Sequence, residues 1–381
     1  MPAYARKEIV REEEVGIYHC TSRCVRQAFL CGWDPVTQLC FDHRKEWVRA
    51  RLEQLSGIFA VEVCGYAVLG NHCHVIARTR PDVVDGWSDQ EVARRCWQLF
   101  PKRKKKNGEP AEPKPHELER LIATPEDVKE NRRRLSSLSW FMRCLNERIA
   151  RLANEEDGCR GRFWEGRFHC TKLLDAAAVL ACSIYVDLNP IRAAICDRPE
   201  EAEYTSAFDR ICAHVARRAQ GKETEVAQAG NQRQKQDRRQ AEADRDGWLC
   251  AIGTSGSLGE RACPADLPHD DQSTTAGFST SAMPRRASDE AFLPISLEEY
   301  LELLDWTGRQ VRADKRGAIP ASLAPILERL QVAEDAWLES VRHFGRWFHR
   351  AVGRAERLAE EAARSGKRWF GGLARCRQAF T

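Results

Sequence analysis

The stretch Tyr66-Ala67-Val68-Leu69-Gly70-Asn71-His72-Cys73-His74-Val75-Ile76 decides the fold class. Val61 to Leu69 reads as one strand, Gly70-Asn71 is turn chemistry, and His72 to Thr79 returns as a second strand, so the segment is an antiparallel hairpin. Strand side chains alternate between faces, which sends His72 and His74 to one side and Cys73 to the core. Two imidazoles on one face can hold one divalent ion. They underfill a catalytic metal site, so a further ligand must come from elsewhere. The same pair also suits an ordinary surface hairpin, and the spacing alone does not choose.

Outward from the hairpin, Val15 to Ser22 alternates like a strand, and Asp42 to Leu55 carries Trp47, Ala50, Leu52 and Leu55 on an apolar helical stripe. Ser88-Asp89-Gln90-Glu91 is a capping box opening a helix with Val92, Cys96, Leu99 and Phe100. From Pro101 to Pro115 the chain is basic, proline-rich and irregular. Leu138, Phe141, Met142, Leu145 and Ile149 mark a helix from about Leu135 to Leu152. Phe163 to Leu174 reads as extended, and Asp175 opens an apolar helix towards Leu188. Pro190 disfavours regular helix at Asn189, placing that residue at a helix end or kink. The expected fold class is therefore α+β over residues 12–215, with an insertion at 101–115. Residues 216–290 lack periodic apolar positions and read as a disordered, low-complexity linker. A second capping box at Ser296 to Glu299 then begins a small helical C-terminal domain, 291–381.

Composition narrows the function classes. The 381-residue chain is 43% hydrophobic and 30% charged with a net charge of +4, as expected of a soluble globular protein. It has no apolar run long enough to span a membrane, and Met1 to Glu14 lacks the apolar stretch of a secretory signal, so a cytoplasmic location is expected. The sixteen cysteines are scattered without a Cys-x-x-Cys pair, which argues for small buried hydrophobes rather than zinc ligands. Charge is concentrated in Lys102-Arg103-Lys104-Lys105-Lys106 and Arg132-Arg133-Arg134, runs that can neutralise phosphates or simply be solvated.

The second chemical feature is Tyr185-Val186-Asp187-Leu188-Asn189-Pro190. Tyr185 and Asn189 are spaced i, i+4 and share a helix face. A phenol can attack phosphorus once positioned and deprotonated, and an amide oxygen suits Mg²⁺ or Mn²⁺ better than zinc. Core packing and a helix stop account for either residue taken alone. Together with the hairpin they resemble the HUH single-tyrosine transposases, including the REP-associated tyrosine transposases. The matching blocks are Ile17-Tyr18-His19-Cys20-Thr21-Ser22-Arg23, Tyr66 to Ile76, Arg162-Phe163-Trp164-Glu165-Gly166-Arg167-Phe168, and Tyr185 to Ala193, in the family's order.

This resemblance covers about residues 12–215. It implies a ferredoxin-like HUH domain, an antiparallel sheet with helices packed on one face. It implies His72 and His74 as the metal-binding pair, Asn189 as the side chain completing coordination, and Tyr185 as the nucleophile. The implied activity is a metal-dependent endonuclease and transposase acting on single-stranded or hairpin DNA through a 5′-phosphotyrosine link, as a monomer or homodimer. Leu69-Gly70 stands where the family often has Met-Pro, and Cys73 replaces a larger aliphatic; neither change removes a catalytic group. Arg162, Trp164, Arg167, Lys172, Lys102, Arg103 and Lys104 are the expected DNA-binding set. His19 could approach the site, although one strand histidine is commonly structural. Two alternatives stay open: a domesticated hairpin-DNA-binding protein without transposition activity, and a metal hydrolase using His72, His74 and Asp187.

Overall fold

A computed structural model describes residues 8–25, 30–34, 38–106, 108, 110–222, 232–253, 285–311 and 334–380. The fold is α+β around a five-stranded sheet. Its strands are β1 (Gly16–Arg23), β2 (Val61–Val68), β3 (His72–Thr79), β4 (His169–Leu173) and β5 (Ala351–Val352), in the spatial order β2-β3-β1-β4-β5. The hairpin β2–β3 forms as its turn residues require, and the first strand in sequence lies at the centre.

Neighbours within β2-β3-β1-β4 are antiparallel, whereas β5 runs parallel to β4 through Lys172↔Ala351 and Leu173↔Val352. The sheet is thus mixed rather than wholly antiparallel. A strand at the edge leaves hydrogen-bonding groups open, and the C-terminal segment covers that edge.

A bulge sets the faces of β2. Its register passes from Val63↔Ala77 to Gly65↔Ile76, so two steps on β2 oppose one on β3. The parity of the strand switches there: Val61 and Val63 before the bulge, and Tyr66 and Val68 after it, enter the same apolar core. Without the extra residue, one half of the strand would present its side chains to the wrong layer.

Helices cover both faces, not one. The first layer is α1 (His43–Ile58) with α4 (Leu138–Glu156), joined by α2 (Asp89–Leu99) and α3 (Pro125–Ser136). Leu52, Leu55, Phe141 and Leu145 bury against Tyr18, Val63 and Val75. The second layer is built on α5 (Ala176–Asp187), continued by a helical turn α6 (Asn189–Arg192). Asp175 caps α5 by accepting from the Ala178 amide at 2.9 Å. Nearly every α5 residue is buried, because the helix lies between the sheet and α7 (Leu297–Val311) and α8 (Glu334–Trp347).

The stretch expected as linker is partly structured. Gln232–Ala243 is helical, Trp248 is fully buried against Tyr66 at 5.3 Å, and the Cys250 amide donates to the Val63 carbonyl at 2.8 Å. Residues 223–231 and 254–284 lie outside the described residues. The tail does not close on a core of its own among the described residues. Tyr300, Trp337, Val341 and Phe344 belong to the same apolar cluster as α5. Ser296 and Glu299 form the expected reciprocal cap, at 2.8 and 3.1 Å.

Candidate functional site

The register of β1 against β3 pairs Thr21 with His74 and Arg23 with His72. Residues directly opposite share a face, so His19, Thr21, His72 and His74 gather on the α5 side of the sheet. His19 Nε2 hydrogen-bonds His74 Nδ1 at 2.9 Å, and Thr21 Oγ1 lies 3.1 Å from the same nitrogen. These contacts orient the His74 ring and leave its Nε2 buried without a partner. On His72, Nδ1 donates to the Asn71 side-chain oxygen at 2.7 Å, which leaves the Nε2 lone pair free. Cys73 is buried on the opposite face, as the alternation requires.

The three rings are held neutral. Burial, then the charge of His72, pushes His19 down to about 4. Burial, then Arg23, takes His72 to about 4, and His74 falls well below the ordinary histidine value for the same leading reason. Neutral imidazoles keep lone pairs available at neutral pH.

Tyr185 stands on the last turn of α5 and meets this cluster. Its ring centroid is 5.7 Å from that of His74 and 6.0 Å from that of His19, both edge-on. Phe344 of α8 stacks on its other side at 5.4 Å, and the Arg192 guanidinium lies 4.9 Å from the ring centre. A Cβ at position 345 would come within 2.7 Å of the phenol oxygen, so Gly345 is what lets the α8 backbone lie against it. Arg192 ties the same helix down by donating to the Val341 and Arg342 carbonyls. Burial raises the phenol pKa, and the Arg192 charge with the Asn189 and Arg192 hydrogen bonds acts against that rise.

Asn189 opens α6 one turn after Tyr185, just past the end of α5 at Asp187, which is the helix end expected for the residue before Pro190. Its Nδ2 donates to the Tyr185 carbonyl at 3.0 Å, so its Oδ1 stays an acceptor. Among the described residues no group of three or more His, Cys, Asp or Glu side chains is arranged to hold a metal ion. His19 spends its Nε2 on His74, which leaves two imidazoles rather than three. The orphaned Nε2 of His74 and the free Nε2 of His72 are nitrogen donors of the type a divalent cation takes, and the Asn189 amide oxygen is an acceptor of matching chemistry.

The expected DNA-binding residues divide. Arg162, Arg167, Lys102 and Lys104 are exposed. Arg103 is held by Glu117 at 2.8 Å and by the Glu112 carbonyl at 2.7 Å. Trp164 is 8% exposed with its Nε1 donating to the Asn146 carbonyl at 2.8 Å, so it is core. Lys172 is also buried, in an ion pair with Glu361 at 3.1 Å. These two side chains leave the surface set, because the tail packs over one and α4 over the other.

Asp187 is fully removed from the cluster. Its carboxylate accepts from Ser206 Oγ at 2.6 Å, the Ala207 amide at 3.1 Å and the Tyr300 hydroxyl at 2.5 Å. Sequence reasoning undervalued His19 and missed Arg192, Phe344 and Gly345. The available signal for His19 was parity: His19 and Thr21 stand two apart on β1, as His72 and His74 do on β3.

No family model and no curated protein matches the chain. Among solved structures, a REP-associated tyrosine transposase bound to a REP hairpin is similar at 11% identity with a TM-score of 0.28, over 54% of this chain and 82% of that one. A likeness of that size by itself establishes neither fold nor function. Among the described residues no helix is long and apolar enough to cross a membrane.

Proposed function

We propose that this chain is a metal-assisted, single-tyrosine DNA nuclease and strand transferase of the HUH type, built on a ferredoxin-like core and acting on single-stranded or hairpin DNA. The observation that carries the reading is the meeting of Tyr185 with His74 and His19, whose rings lie within 6.0 Å although they come from separate elements. The order strand–helix–strand–strand–helix–strand with the first strand central is that of a ferredoxin-like sheet.

In this reading His72, His74 and Asn189 would hold Mg²⁺ or Mn²⁺, which when bound supplies Lewis-acid stabilisation of the scissile phosphate. The chain's own groups do the rest. His19 and Thr21 fix the rotation of His74 through its Nδ1. Asn189 is anchored to the Tyr185 backbone carbonyl, which fixes the amide against the helix turn that carries the phenol. The Arg192 cation favours the phenolate over the phenol. The Tyr185 oxygen forms a bond to phosphorus as the bond to the 3′ oxygen breaks. The phenol proton is lost to solvent and the departing 3′ oxygen gains one. The phosphotyrosine conserves one phosphodiester bond, so a second 3′-OH can reverse the step and join strands.

Incubation of the full chain with hairpin-flanked single strands and Mn²⁺ tests this. The expected result is a covalent protein–DNA adduct that disappears in Tyr185→Phe; no adduct with the wild-type chain overturns it. The competing reading is a hairpin-binding protein without strand transfer. It draws support from the half-buried phenol, which lies under Phe344 and against Gly345, and predicts tight binding with no adduct. The metal hydrolase has lost its carboxylate, since Asp187 is committed to Ser206 and Tyr300.

A further inference from the structure

The opposite face of the molecule carries a feature that the tyrosine chemistry does not use. A groove runs between the ends of α1 and α2, the side of α4 and the irregular loop after Phe100. Five cations line it, Arg51, Lys104, Arg143, Arg148 and Arg151, against a single carboxylate among the described residues, Glu147. Glu147 is already shared between Arg143, at 3.5 Å, and Arg151.

Arg51 is the centre of the arrangement. Its Nε donates to the Cys144 carbonyl at 3.3 Å and its Nη1 to the Gln54 side-chain oxygen at 2.6 Å, both neutral acceptors. Burial, aided by the charge of Arg148, lowers its pKa, so the guanidinium is desolvated beside a like charge. Arg148 has no ion pair among the described residues. An unneutralised pair of this kind gains most from a bound anion with several oxygens.

The rim supplies a second chemistry. Phe100 is 60% exposed and stands edge-on to Trp140 at 6.4 Å, while Arg134 and Arg143 lie 4.8 and 4.9 Å from the Trp140 ring centre. Charge alone would fit any polyanion. Cations alternating with an open aromatic face fit a strand whose phosphates and unpaired bases are both accessible.

We propose that this groove is a binding site for single-stranded nucleic acid, with Arg51 and Arg148 contacting phosphate and Phe100 stacking on a base. It is separate from the Tyr185 cluster, lying across the sheet from it, and it is completed by the basic loop bearing Lys104.

The test is fluorescence anisotropy of the full chain with labelled single-stranded DNA, the same sequence as RNA, and the corresponding duplex, in EDTA and across a salt series. Arg148→Glu, a surface change, is expected to weaken single-strand binding about tenfold or more. It should also flatten the salt dependence by about 0.7 log unit for each phosphate that is no longer neutralised. Phe100→Ala is expected to weaken binding about fivefold to a hundredfold with the salt slope unchanged. Preference for DNA or for RNA identifies the source of the strand. Unchanged affinity and slope in both variants, or equal effects on the duplex, would overturn the proposal. Because no metal is present and Tyr185 is intact, this outcome is independent of adduct formation: an adduct without a groove effect sinks the groove alone, and a groove effect without an adduct sinks the transferase alone.

Discussion

The two faces of the sheet treat charge in opposite ways. On the α5 side, His19 and His74 are 7% and 4% exposed, and burial holds their rings neutral around the phenol. On the α1–α4 side, cations converge on a groove with one carboxylate among the described residues to answer them. Neutral lone-pair donors are what a metal and a nucleophile need, whereas uncompensated cations are what a phosphate strand needs. In the proposed reading, chemistry and grip are therefore separated by one layer of β-structure.

The separation can be broken most severely at His74. His74→Ala should reduce adduct formation to background while leaving metal-free single-strand affinity within about twofold, measured on one preparation. Equal loss of both would mean that the faces are not independent.

Phe344→Ala sharpens the comparison from the covered side. The ring is fully buried, so truncation should cost about 3–5 kcal/mol in urea unfolding. It should also raise the rate of tetranitromethane nitration at Tyr185, read by peptide mass spectrometry. Faster nitration with no change at Tyr18, Tyr66 or Tyr300, which are fully buried, would identify Phe344 as the cover over the phenol. An unchanged rate at Tyr185 would dismiss that role.

Acid between about pH 6.5 and 4 should destabilise through the histidine face. His19 and His72 titrate at about 4 when folded, against about 6.5 in the unfolded chain. Between those values the unfolded chain binds more protons. The stability they contribute is thus complete above about pH 6.5 and is lost as pH falls to about 4, by roughly a few kcal/mol. Urea midpoints at pH 7 and 4.5 measure this, and His19→Gln should flatten the dependence. The smallest expected effect belongs to the groove side. Ser88 Oγ accepts from the Glu91 amide at 3.2 Å at the start of the helix leading to Phe100, so Ser88→Ala should cost about 1 kcal/mol in thermal or urea unfolding.

Much of this organisation is legible in local pattern. Gly70-Asn71 specifies the hairpin turn, the alternation of His72, Cys73 and His74 assigns their faces, and Asp175 starts an apolar helix where the structure has α5. These follow from neighbours two to four residues apart, whose geometry is set by the backbone period. The same logic failed at Trp164 and Lys172. Each sits in a basic-aromatic segment that resembles a binding surface, yet each is buried by a partner distant in sequence, Asn146 for one and Glu361 for the other.

Residue pattern by itself determined the hairpin, the helices opened at Ser88, Asp175 and Ser296, the shared face of the two motif histidines and the i, i+4 relation of Tyr185 to Asn189. Only the tertiary structure decided that His19 orients His74, that α8 lies on the phenol, that β5 closes the sheet edge and that Arg51 and Arg148 line one groove with neither in an ion pair among the described residues. Those outcomes join elements tens to hundreds of residues apart, and contacts of that range depend on how whole layers pack, which no local period encodes.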